Sequence, residues 1–253
     1  MIKKLLATTL TAFVTLAGTA NAAETVAVPQ QEWGFEGFFG TFDRASLQRG
    51  FEVYAQACHS CHSLNFIAFR HLQDIGLTSD QIEAVAGGYE VEDGPDDSGE
   101  MFTRPARAAD YMPPPFPNEM AARAANAGAL PPDLSLIVRG RPGGADYIYA
   151  LLTGYVEEPP EDVEVGPGMY YNAYFPGHQI AMPPPLMEGV VEYADGTEGT
   201  VEQYAHDVTT FLSWTAYPEL EERKRLGVKV ILFLIGFTAL LYALKKRIWL
   251  DVH

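Results

Sequence analysis

Cysteine is nearly missing from this chain: 253 residues contain two, Cys58 and Cys61. A zinc site needs about four ligands, usually as two close pairs, and the histidines outside the cysteine segment, His71, His178, His206 and His253, are scattered. A zinc site is therefore disfavoured. Basic residues are also scarce, 17 Lys and Arg against 33 Asp and Glu, for a net charge of -16. Nucleic acid, which binds basic surfaces, is not an expected partner. There is no internal repeat, no long low-complexity tract and no apolar-polar alternation beyond a few residues. What remains is a mainly α fold with long irregular loops.

The two cysteines lie three apart in Cys58-His59-Ser60-Cys61-His62. That is the attachment motif of a c-type haem, because two thiols on one helical turn can each add to a vinyl group while the next residue offers imidazole to iron. His62 is then the proximal ligand. A thioredoxin-like dithiol is the competing reading, but it expects a βαβ context that this region lacks.

Residues 1–22 read as a secretory leader: Lys3 and Lys4, an apolar run, then Ala20-Asn21-Ala22 as a small-residue cleavage site. Its removal takes two lysines, so 15 basic residues face 33 acidic ones and the charge becomes -18. Residues 226–244 carry one charge, Lys229, and at 1.5 Å per residue they span about 28 Å as a helix, close to a bilayer core. A buried core helix is the alternative, but such uniform apolarity is seldom needed in a small domain. Arg223-Lys224-Arg225 and Lys245-Lys246-Arg247 flank both ends, so charge alone does not orient the span. Export of the amino terminus does: residues 23–225 form one periplasmic domain, and 245–253 a cytoplasmic tail.

Within that domain, Asp43 is an N-cap and Leu47, Phe51, Tyr54 and Cys58 follow helical steps, so an amphipathic helix delivers the cysteines. Thr78 to Gln81 and Thr200 to Gln203 have capping-box form. The first precedes Ile82, Val85 and Ala86; the second precedes the stripe Val201, Tyr204, Val208, Phe211 and Leu212, which Pro218 closes. Residues 119–127 suggest a short helix, and Tyr147, Ile148, Leu151 and Leu152 share a helical face ending at Gly154. The acidic stretches 90–100 and 157–164 read as solvated loops.

The second axial position of the iron belongs to Met, His or neither. Met182 stands in Ile180-Ala181-Met182-Pro183-Pro184-Pro185, where three prolines stiffen the backbone behind a flexible, weak thioether ligand. Met101, Met112, Met120, Met169 and Met187 lack that setting. His178 is the rival, and bis-His ligation would lower the potential.

Four segments together resemble the cytochrome c1 family, the haem subunits of cytochrome bc1 complexes, in an alphaproteobacterial form. They are Ala57 to Ser63; Ala121-Ala122-Arg123-Ala124-Ala125-Asn126 leading to Gly128-Ala129-Leu130-Pro131-Pro132-Asp133-Leu134-Ser135; Asp146-Tyr147 with Leu151 to Tyr155; and residues 174–186. Glu221 to Gly227, before the span, is also typical of it. The resemblance implies a cytochrome c-like domain with long loop insertions and one haem c bound through Cys58 and Cys61. It further implies Met182 as distal ligand, Arg141 at a propionate, and Asn126, Pro131 and Tyr147 against the haem. From sequence alone, Arg139 and Arg123 would serve a propionate as well as Arg141. Pro142 and Ala173 stand where histidine and proline are common in relatives, and the extra cysteine pair that some bacterial relatives place before the Met ligand is missing. That loop is expected to be held by packing alone.

The implied function is electron transfer from the Rieske iron-sulfur protein to a soluble or tethered c-type cytochrome, beside cytochrome b, during quinol oxidation. It needs no acid-base or nucleophilic residue in this chain, because the protein supplies ligation, orientation and potential. Acidic loops would steer a basic acceptor. The alternatives are another membrane-anchored monohaem cytochrome, such as an oxidase-associated subunit, or an exported Cys-Xaa-Xaa-Cys thiol oxidoreductase.

Overall fold

The computed structural model describes residues 26–161 and 163–250. The leader expected at 1–22 and the last three residues of the tail lie outside them.

Helix α1 (Arg44–Val53) begins where expected, with the Asp43 side chain accepting from the Ala45 N–H at 3.0 Å. It buries Leu47, Gly50, Phe51 and Val53 against α6 (Val201–Ala216), which Thr200 caps by accepting from the Gln203 N–H. Residues 207–216 of α6 are buried on every side, so this helix is the axis of the core. The two backbones meet at Gly50, where a Cβ would fall 2.1 Å from the Asp207 carbonyl oxygen. Only glycine allows that approach.

A short 3₁₀ stretch, Phe69–Ile75, adds Phe69, Leu72 and Ile75 to the core and leads to α2 (Ser79–Gly87), where Thr78 and Gln81 complete a full capping box. The acidic run from 90 was expected as loop; instead its first four residues form strand β1 (Glu90–Asp93), paired antiparallel with β2 (Phe102–Pro105). The physical reason is Arg104 on β2, which pairs with Asp93 across the hairpin and with Asp110 at 2.6 Å beyond it. Helix α3 (Glu119–Ala125) is capped by Asn118 and stops two residues before the expected end, as Ala127 and Gly128 turn to positive φ. The short α4 (Ile137–Gly140) precedes α5 (Gly144–Thr153), which packs on α6. A second small hairpin joins β3 (Tyr170–Tyr171) to β4 (Gln179–Ile180).

The protein is thus mainly α, as the sequence indicates. After Pro218 the chain turns into α7 (Leu220–Ile248), 29 residues that begin with buried Leu220, expose their large apolar side chains beyond it, and are long and apolar enough to cross a membrane.

Candidate functional site

Helix α1 does not stop before the cysteines. It passes into one π-turn, Tyr54–Cys58, and then a tight turn in which the Cys61 and His62 N–H groups both donate to the Cys58 carbonyl, at 3.1 and 2.9 Å. The extra residue of a π-turn re-aims the side chains beyond it, a common device at functional sites. The Tyr54 hydroxyl, fully buried, donates to the His62 carbonyl at 3.0 Å and stands 3.1 Å from His59 Nδ1, fixing the turn from beneath.

These residues form one wall of a cavity of about 480 Å³. Tyr147, Ile148, Leu151 and Leu152 of α5 line it, as do Val208 and Leu212 of α6, the loop at Asn126 and 129–132, and the segment Ile180, Ala181, Met182, Pro183. All eight residues singled out from the sequence, Cys58, Cys61, His62, Asn126, Pro131, Arg141, Tyr147 and Met182, reach this one cavity. His178 is not among its lining residues; its ring stacks on Tyr171 and its φ is 57°.

His62 Nδ1 lies 2.8 Å from the Pro132 carbonyl oxygen. A carbonyl only accepts, so Nδ1 carries the proton and Nε2 keeps its lone pair, the form a metal ligand needs. Burial lowers the imidazole's pKa, against the opposing effect of that hydrogen bond and of Asp133, which favours the neutral ring. Burial pushes the Cys58 thiol up to about 12, the opposite of the depression a redox-active dithiol requires.

The Met182 segment was expected to rest on packing alone, and here the structure differs. Tyr155 donates its hydroxyl proton to the Met182 carbonyl at 3.0 Å. Buried Asn172 donates to the Leu151 carbonyl of α5 at 2.8 Å and accepts from the Tyr174 and Phe175 N–H groups. Hydrogen bonds as well as packing hold this segment. The three arginines also separate: Arg139 lies over the Tyr217 ring at 4.9 Å, Arg123 donates to the Gly128 carbonyl, and Arg141 lines the cavity.

Sequence reasoning missed the roles of Pro132, Tyr155 and Asn172. Val208 and Leu212 appeared only as a helical stripe. Pro132 and Tyr155 stand within motifs already noticed, but nothing in their spacing reveals a partner tens of residues away.

The donor set fits a c-type haem: a neutral imidazole and a thioether on one apolar cavity, two thiols beside it, and a guanidinium suited to a carboxylate. Fold and site together define a mainly helical c-type cytochrome with a C-terminal helix able to span a bilayer. The chain belongs to the cytochrome C1 family, whose model matches residues 33–252. It is 47% identical over 253 residues to cytochrome c1 of Rhodospirillum rubrum, covering 94% of this chain and 93% of that one. It is 50% identical over 224 residues to the mitochondrial cytochrome c1 heme protein of Saccharomyces cerevisiae, covering 88% of this chain and 72% of the relative. Cytochrome b/c1 of Bradyrhizobium diazoefficiens is 52% identical over 246 residues, 89% of this chain but only 36% of that longer protein.

Proposed function

We propose that this chain is the haem-bearing electron-transfer subunit of a cytochrome bc1 complex, taking electrons from the Rieske protein and passing them to a c-type cytochrome. The observation that carries the reading is the convergence of Cys58, Cys61, His62 and Met182 on one apolar cavity in a chain of this family. Relatives bear names that agree, among them the Saccharomyces heme protein and a Candida albicans protein named as a cytochrome b-c1 complex catalytic subunit.

Cys58 and Cys61 would hold the haem covalently, and His62 and Met182 would ligate its iron. Bound there, haem c supplies one-electron chemistry at its iron. The protein's part is to hold and orient. Pro132 fixes the tautomer of His62, and Tyr155 and Asn172 fix the backbone of the Met182 segment. Arg141 would pair with a propionate. Asn126, Pro131 and Tyr147 would pack against the macrocycle, and the apolar walls would keep water from it, which with ligation by His62 and Met182 would favour a fairly high potential.

Residues 226–244 anchor the chain in the cytoplasmic membrane, with 23–225 in the periplasm and 245–253 in the cytoplasm. Cytochrome b and the Rieske protein are partners in the membrane.

The test is purification of the full chain in mild detergent. Haem stain should remain with the polypeptide on a denaturing gel, and cytochrome b and the Rieske protein should co-purify. A colourless polypeptide, or one that purifies with an oxidase and without cytochrome b, overturns the reading.

A further inference from the structure

Five aromatic residues lie in the segment from Trp33 to Phe42, and they divide into two groups. Trp33, Phe35 and Phe42 are buried, stacked in sequence with ring centroids 5.5 and 5.0 Å apart. Phe38 and Phe39, at the tip between them, are 57% and 79% exposed and meet edge to face at 4.8 Å. The tip is held out by a closed neck. Thr41 N–H donates to the Gly34 carbonyl at 3.1 Å, and a Cβ on Gly40 would fall 1.8 Å from the Glu36 carbonyl oxygen. Two adjacent phenylalanines presented this way cost solvation unless something apolar receives them.

The segment's contacts with α7 show where the tip lies. Phe42 N–H donates to Glu221 Oε1 at 2.8 Å, whereas the Lys224 ammonium donates to the Phe35 and Gly40 carbonyls at 2.7 and 2.9 Å. From Phe42 back to Gly40, contact therefore advances three residues along α7, about 4.5 Å at helical rise. The advance is toward the apolar run that begins at Leu226. Phe38 and Phe39 lie in sequence between the two residues whose carbonyls the ammonium grips, so their loop is tied to α7 two residues before its apolar run.

We infer that the Phe38-Phe39 tip is a membrane-interface foot: it inserts into the boundary between headgroups and acyl chains, giving the haem domain a second lipid contact beside its helix. The occupant is phospholipid, on the argument of continuity with the span and apolar side chains at interfacial depth. This rests on the reading of 226–244 as the anchor.

The test places the photocrosslinker p-benzoylphenylalanine at position 39, and separately at 38, in the full chain in native membranes. A third chain carries it at 232, within the apolar run. Retained haem stain and co-purifying cytochrome b show that each protein has folded and assembled. After irradiation, the peptide bearing position 39 or 38 should gain the mass of one phospholipid, as should that bearing 232. A lipid adduct at 232 with only a protein adduct, or none, at both 38 and 39 overturns the foot and keeps the anchor. No adduct to lipid or membrane protein at any of the three, with the chain extracted by alkaline carbonate, overturns the anchor as well.

Discussion

Met182 and His62 face the same cavity with different kinds of support. His62 sits in a turn closed by its own neighbours and is held through Nδ1 by Pro132; Met182 depends on three prolines, one tyrosine hydroxyl and the Asn172 bonds to α5. Replacing Met182 by Leu keeps the volume but removes the thioether. The expected outcome is retained covalent haem, a lower midpoint potential and a reduced form that binds carbon monoxide, read by haem stain, redox titration and optical spectra. A variant that refuses carbon monoxide would show that Met182 is not the ligand. Tyr155→Phe deletes one hydrogen bond worth about 0.5–1.5 kcal/mol, and should raise the fraction open to carbon monoxide without approaching the Leu variant. At this scale the sequence was legible where chemistry is local, as in Cys58 to His62. Pro132 and Tyr155 act on residues 70 and 27 positions away, so spacing held no trace of them.

Between elements, the decisive contact is α1 on α6, and it contains a charge. Asp207 is fully buried and accepts from Ser46 Oγ at 2.5 Å, Arg49 Nε at 2.7 Å, Gln203 Nε2 at 2.8 Å and the Tyr193 hydroxyl at 3.0 Å. Burial alone would raise its pKa, but His206, Arg49, Ser46 and Gln203 outweigh that and hold the carboxyl well below its usual range. A carboxyl depressed in the folded state stabilises above its unfolded pKa. Its contribution should therefore persist above about pH 4 and fade as pH drops toward the folded value. Asp207→Ala leaves Arg49 facing only Asp195, and should cost about 3 kcal/mol and abolish that acid dependence in denaturant titrations across pH. Gly50→Ala forces the two backbones apart and should cost about 1–3 kcal/mol in the same assay. Helices α1, α2, α5 and α6 were readable because each joins a cap, a glycine stop or a proline to a regular apolar stripe. The β1-β2 hairpin was not, since its strands are short, largely exposed and held by Arg104 from outside the acidic run. The π-turn at Tyr54–Cys58 also carries no pattern, because one inserted residue leaves the helical stripe almost unbroken.

Over the whole molecule, the lining of the cavity is predominantly apolar, and only a bound apolar group takes that surface out of water. Cys58→Ser with Cys61→Ser should therefore lower the amount of chain that accumulates in membranes by much more than it lowers transcript, measured by immunoblot. The net charge of -16 bears on association rather than fold. With a basic acceptor cytochrome, the bimolecular rate of its reduction should fall as ionic strength rises from 10 to 200 mM, roughly the range over which the screening length shrinks below 10 Å; an unchanged rate would discard charge steering.

The clasp between residues 35–44 and the first turn of α7 has a mechanical meaning. Arg44 pairs with Glu221 at 2.7 Å, and Lys224 holds the Phe35 and Gly40 carbonyls, so this segment is tied to the first turn of α7 at several points. Tension or torque arriving through α7 would be shared between that clasp and the short covalent link to α6, the helix that carries Val208 and Leu212 to the cavity wall.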